Sequence, residues 1–152
     1  MFTDLANFTT APKHVTFVAR QDRLWYRWPL FKFAHRALRK IGLGNQLNGL
    51  FVADQECLIR RSMARIRRSQ PGISFSIVGL GAARRCPPDV KDLRTMRMDV
   101  AVERSWCEAY AQSQVVVGVH GSNMLLPTAL AAGCVEILPH DRQGNVVQDI
   151  SV

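Results

Sequence analysis

Val115-Val-Val-Gly-Val-His-Gly-Ser-Asn123, continuing through Met124 to Gly133 into Cys134-Val-Glu-Ile-Leu138, decides the fold. The first five residues are an apolar, β-branched run of the kind that forms a buried strand. A polar turn bearing Gly121 follows, then a short helix at about Leu126 to Ala132, then Gly133 and a second apolar strand. Strand, turn, helix and strand in so short a span make a βαβ unit, whose two strands must be parallel. Near-continuous apolar strands of this type need covering on both faces, so the expected fold is α/β, a Rossmann-like open parallel sheet with helices on both sides.

The rest of the chain extends the pattern. His14 to Arg20 is β-branched and aromatic and reads as a first buried strand; Ile73 to Val78 reads as a second, and Met98 to Val102 as a third. Pro29 opens a helix that Gly42 closes, with Leu30, Phe31, Ala34, Ala37, Leu38 and Ile41 on one face and Lys32, His35, Arg36, Arg39 and Lys40 on the other. Gly42 to Gly49 reads as a loop and Leu50 to Ala53 as a short apolar piece. Asp54 then caps a helix to about Ser69 that stacks Ile59, Met63 and Ile66. Glu103 to Ser113 is a further helix.

With 152 residues, 47% hydrophobic, the chain suits one domain with a core at about residues 14–139. It ends just after a strand of central character, which suggests one lobe of a larger enzyme. Cys57, Cys86, Cys107 and Cys134 contain no CxxC pair, so buried free thiols in a reducing compartment are expected rather than disulfides or structural zinc. No apolar stretch approaches the ~20 residues of a membrane span, and the first residues lack the pattern of a signal peptide. A cytoplasmic protein is therefore expected.

The formal charge of +8 points toward anionic partners, and it is unevenly spread. Residues 20–68 carry 12 basic and 3 acidic side chains, net +9; the remainder carries 8 basic and 9 acidic, net −1. Most of this excess falls on helix faces, where solvation is the usual role, an anionic membrane surface the next, and nucleic acid an unlikely third. No RNA- or DNA-binding module pattern is present.

Chemistry is expected beyond the carboxyl ends of the strands, where an open α/β sheet binds its ligands. In the turn after Val119, Gly121 would let the backbone approach a ligand, Ser122 could donate a hydroxyl, and Asn123 could cap the helix or take a positive φ. The helix N-terminus would offer N–H groups to an anion. The same residues would also make an ordinary capped turn. A competing motif, Ile77-Val-Gly-Leu-Gly-Ala-Ala-Arg84, begins as the G-x-G-x-x of NAD(P)-binding oxidoreductases, with Asp99 or Glu103 at the distance of the ribose-binding acid. Arg84 and Cys86-Pro-Pro88 interrupt it.

The run VVVGVHGSNMLLPTALAAGCVEILP resembles the end of glycosyltransferase family 61 domains: an apolar strand, His-Gly-Ala-Gly, a helix, a turn, and a strand with Glu before Pro. His120, Gly121, Gly133, Glu136 and Pro139 fall on those positions, while Ser122-Asn123 stands where Ala-Gly is usual. Upstream, Val15 to Arg20 with Arg23 is similar to the family's strand leading to an Arg-rich turn. The resemblance implies a GT-B architecture, two Rossmann-like lobes of which this chain is the C-terminal one. It also implies a nucleotide-sugar donor, a glycan or polysaccharide acceptor, and inverting transfer needing neither metal nor cofactor. A missing N-terminal lobe or a second copy would complete the enzyme, which in bacterial style would work in the cytoplasm or at the inner membrane. Carried over, His120, Gly121 and Ser122 would border the donor diphosphate with Asn123 beside them, Arg20 and Arg23 would neutralise it, and Glu136 would reach the ribose or base. His120 is the candidate catalytic base by residue type.

Overall fold

Four strands form where the sequence concentrates β-branched and aromatic residues. In a computed structural model that describes residues 13–21, 24–26, 29–83 and 86–138, the order is β1 (His14–Val18), α1 (Pro29–Lys40), α2 (Gly44–Ser69), β2 (Ser74–Val78), β3 (Val90–Asp92), α3 (Val100–Ala111), β4 (Val115–Val119), a 3₁₀ turn (Ser122–Met124), α4 (Leu125–Leu130) and β5 (Cys134–Ile137). The strands form one all-parallel open sheet in the order β3-β2-β1-β4-β5. This is the expected Rossmann-like α/β fold. The chain builds outward from β1 to β2 and β3, then crosses back to β4, so the order reverses between β1 and β4.

Alternation along the strands sorts side chains to two faces. Val15, Phe17, Ala19, Phe75 and Ile77 pack on Ile59 and Met63 of α2 and on Trp25. Val18, Val78 and Val116 pack on Ala109 and Tyr110 of α3 and on Met124. Thr16 is fully buried on this second face, and its hydroxyl is paired with Ser113 Oγ at 2.7 Å. Gly118 has a packing reason: a Cβ there would collide with the Met124 sulfur, so the small residue lets the turn after β4 fold down onto the sheet.

The structure corrects the sequence reading in several places. Residues 44–53 are helical, and Asp54 lies within α2 instead of capping it. Burial of Phe51 and Val52 against Leu24 outweighs the weak helix propensity of the Gly- and Asn-bearing start. Met98 to Val102 is not a strand: the Asp99 side chain accepts from Val102 N at 2.8 Å and caps α3, which therefore starts before Glu103. The third strand is instead Val90–Asp92, defined by its register against Phe75 to Ile77. The four thiols are free but half-buried. No helix among the described residues is long and apolar enough to cross a membrane.

α1 is turned opposite to expectation. His35 is buried, stacked on Phe51 at 4.4 Å between ring centroids, with its Nδ1 2.7 Å from Tyr26 Oη. Leu38 joins it against the Leu24, Phe51 and Val52 cluster. Leu30, Ala34, Ala37 and Ile41, expected to face the core, are exposed.

A buried ionic cluster ties β3 to α2. The Arg94 guanidinium binds Asp92 through Nε at 2.9 Å and Nη2 at 2.6 Å, and Glu56 of α2 through Nη1 at 2.7 Å. Burial alone would push the Asp92 carboxyl up and the Arg94 guanidinium down. Their mutual hydrogen bonds outweigh it, holding Asp92 below the usual carboxylate range and Arg94 above its own.

Candidate functional site

A cavity of about 230 Å³ opens beyond the carboxyl ends of β1, β2 and β4, at the reversal of strand order. Its walls come from separated parts of the chain: Arg20 after β1, Leu80 after β2, Glu103 and Trp106 on α3, and Ser122 and Asn123 in the turn after β4. Open α/β sheets hold ligands at such a point because loops leaving two neighbouring strands diverge there and leave a crevice.

The polar groups facing this cavity are of both kinds. The Arg20 guanidinium and Ser122 hydroxyl can donate, and the Glu103 carboxylate can accept. Asn123 donates through Nδ2 to Val119 O at 3.4 Å, while its Oδ1 is buried with no hydrogen-bond partner. The aromatic rings of Trp106 and Tyr110 complete the wall. The indole is fixed by its N–H donating to Leu93 O at 2.8 Å. Burial raises the Tyr110 hydroxyl well above the ordinary phenol range, and the nearby Arg20 opposes this only in part, so Tyr110 stays protonated.

His120 and Glu136 form a second group on the β5 side. The register of β4 on β5 sets Gly118 beside Glu136, and His120 N donates to Ile137 O at 3.0 Å, which brings the imidazole over the carboxylate. His120 Nδ1 is hydrogen-bonded to Glu136 Oε2. A carboxylate only accepts, so Nδ1 is the donor of this bond. Thr128 Oγ1 lies 3.5 Å from the other carboxylate oxygen of Glu136. Gly121 has φ +145°, a conformation that side chains rarely adopt, and its carbonyl accepts from Met124 N at 2.7 Å to start the 3₁₀ turn.

No family model, curated protein or solved structure matches the chain.

Measured against the sequence reading, the cavity gathers Arg20, Ser122 and Asn123 but does not take His120, Gly121 or Glu136 into its wall. Glu136 engages His120 where a ribose or base contact was expected. Asn123 has no positive φ and caps nothing; its amide turns back to Val119. The expected helix N-terminus is weak, since α4 has six residues and follows a 3₁₀ turn, leaving few aligned peptide dipoles. Pro127 sits in its first turn, where the missing N–H costs little. Arg23 and Pro139 lie outside the described residues.

Glu103, Trp106 and Tyr110 were not picked out together, because on sequence alone α3 is only an amphipathic helix. Glu103 did carry a signal, as the acid in range of the competing glycine motif. Its two glycines each have a packing reason. A Cβ at Gly79 would overlap the Ala19 carbonyl, and one at Gly81 would meet the Gln21 side chain, so both glycines serve the close approach of β1 and β2. No helix follows among the described residues to carry a pyrophosphate.

Proposed function

We propose that the cavity holds part of a nucleotide-sugar and that the chain is the donor-binding lobe of a glycosyltransferase resembling family 61. The observation that carries this reading is the meeting of Arg20 with Ser122 and Asn123 at the reversal of strand order, opposite Glu103 and Trp106. A nucleotide-sugar presents an anion, an aromatic base and hydroxyl donors. The wall offers a guanidinium, indole and phenol rings, and an acceptor in Glu103. The cavity volume of about 230 Å³ is smaller than the roughly 300–1,000 Å³ of pockets that enclose a whole small ligand. It suits half of a donor site, completed by a further lobe or a second copy.

The chemistry follows from these groups. The acceptor hydroxyl of a glycan attacks the anomeric carbon as the bond to the nucleoside diphosphate breaks, with inversion at that carbon. Negative charge grows on the leaving diphosphate, where the Arg20 guanidinium stabilises it. The candidate base for the hydroxyl proton is His120, held by Glu136 through Nδ1 on the β5 side, outside the cavity wall. Work in the cytoplasm at an inner membrane, on a polysaccharide acceptor, belongs to the same reading.

Calorimetric titration with a panel of UDP- and GDP-sugars tests it. Saturable binding is expected, weakened roughly tenfold or more by Arg20→Ala through loss of a charge-assisted hydrogen bond. If the whole panel fails to bind, or binding ignores Arg20, the reading is wrong.

A further inference from the structure

α1 is a basic helix with its apolar stripe turned outward. Leu30, Phe33, Ala34, Ala37 and Ile41 recur at i, i+3, i+4, i+7 and i+11, which is one face of a helix. Ile41 extends that face past the last helical residue because its N–H still bonds Ala37 O at 3.2 Å. Leu30, Phe33 and Ile41 are 72, 64 and 67% exposed, and both alanines are exposed as well. One flank of the helix is already committed, through His35 and Leu38, to α2 and to Tyr26. Leu30, Phe33 and Ile41 are therefore left uncovered by the described residues.

Its border is cationic. At 100° per residue, Arg36 and Lys40 follow Phe33 round one edge of the stripe, and both are exposed. Arg39 lies beyond them. α1 contains no acidic residue, and residues 23–53 as a whole hold six basic side chains and no acidic one. An apolar stripe edged by Lys and Arg is the arrangement that lies flat in the headgroup region of an anionic bilayer, with the stripe in the acyl boundary and the cations on lipid phosphates. A helix of 12 residues is too short to span.

We propose that α1 docks the protein on the surface of an anionic lipid bilayer through Leu30, Phe33 and Ile41, with Arg36 and Lys40 binding the headgroups. Charge complementarity selects this occupant. A second copy would bring Arg36 and Lys40 against their own counterparts. A nucleic acid would engage the cations and leave the apolar side chains in water. The docking is independent of what the cavity binds.

The test is co-sedimentation of the full chain with phosphatidylglycerol/phosphatidylcholine vesicles and with phosphatidylcholine alone. Binding should require the anionic lipid, weaken with salt, and fall roughly tenfold or more in Phe33→Glu/Ile41→Glu and in Arg36→Gln/Lys40→Gln. Phe33 and Ile41 are exposed, so for Phe33→Glu/Ile41→Glu thermal melts and UDP-sugar calorimetry should match the parent protein. Absence of vesicle binding overturns the proposal. So does binding indifferent to Phe33→Glu/Ile41→Glu, or a dimer in light scattering that this pair dissolves.

Discussion

Two strand ends carry glycine-bearing loops, and they have opposite fates. After β2, Gly79 and Gly81 are spent on packing, pressed against Ala19 and Gln21 so that β1 and β2 can run together past their last residues. After β4, Gly118 seats Met124, and the turn that follows delivers Ser122 and Asn123 to a cavity and His120 to Glu136. The charged groups differ in the same sense. Near β3, Arg94 is saturated by two carboxylates, whereas near β4 an acceptor of Asn123 is left without a partner. The glycines after β2 are held by the chain's own contacts, and the β2 loop and the turn after β4 line one cavity.

The largest effect that could break this contrast is Gly79→Val. The new Cβ would lie on the Ala19 carbonyl at a φ of +135°, so a loss on the order of 4 kcal/mol or more is expected in urea unfolding. An unchanged midpoint would mean that the contact between Gly79 and the Ala19 carbonyl relaxes at little cost. Next, Arg94→Ala strands Asp92 and Glu56 in a partly buried site and should cost about 3–5 kcal/mol. At a temperature where the variant is folded, it should leave nucleotide-sugar affinity alone. Weakened affinity would show that the two ends are coupled.

Glu136→Gln should be felt in function instead. The protein should melt within a few degrees of the parent, while turnover in the assembled enzyme falls by about 10²–10⁴, the scale of general-base catalysis. An unaltered pH profile and rate would remove His120 from the base role. The smallest effect is far from both loops. His14 is held near neutrality between Ser74 and Ser76, its folded value lowered first by burial and then by Lys91. A lowered histidine contributes stability above its ordinary value of 6.5, lost as pH falls below it, because the unfolded chain then binds the proton more readily. Replacing His14 by Gln should flatten that part of the stability curve; an unchanged slope between pH 7 and 5 contradicts it.

How much of this was legible follows from where the information sits. β1, β2, β4 and β5 could be read directly, because a parallel sheet buried on both faces needs uninterrupted apolar strands. β3 could not, since Val90-Lys-Asp92 has one apolar residue and becomes a strand only through its pairing with β2. The start of α2 was hidden by Gly44, Asn45 and Asn48, whose poor propensity is overridden by tertiary burial of Phe51 and Val52. The orientation of α1 depends on tertiary contacts, His35 with Tyr26 and Phe51 and Leu38 with the Leu24 cluster, that no periodicity contains. In the site, Arg20, Ser122 and Asn123 were legible because they directly follow strands. The partner of Glu136 was not, because it depends on the register of β4 against β5.

The most direct measurement is two-dimensional NMR of the labelled chain titrated with a UDP- or GDP-sugar that binds in calorimetry. The account predicts saturable shifts at the amides of Ser122 and Asn123 and at the Trp106 indole N–H, absent in Arg20→Ala. Shifts confined to α1 or to the Arg60–Arg68 stretch, or shifts that NADH reproduces and Gly81→Val abolishes, would contradict it.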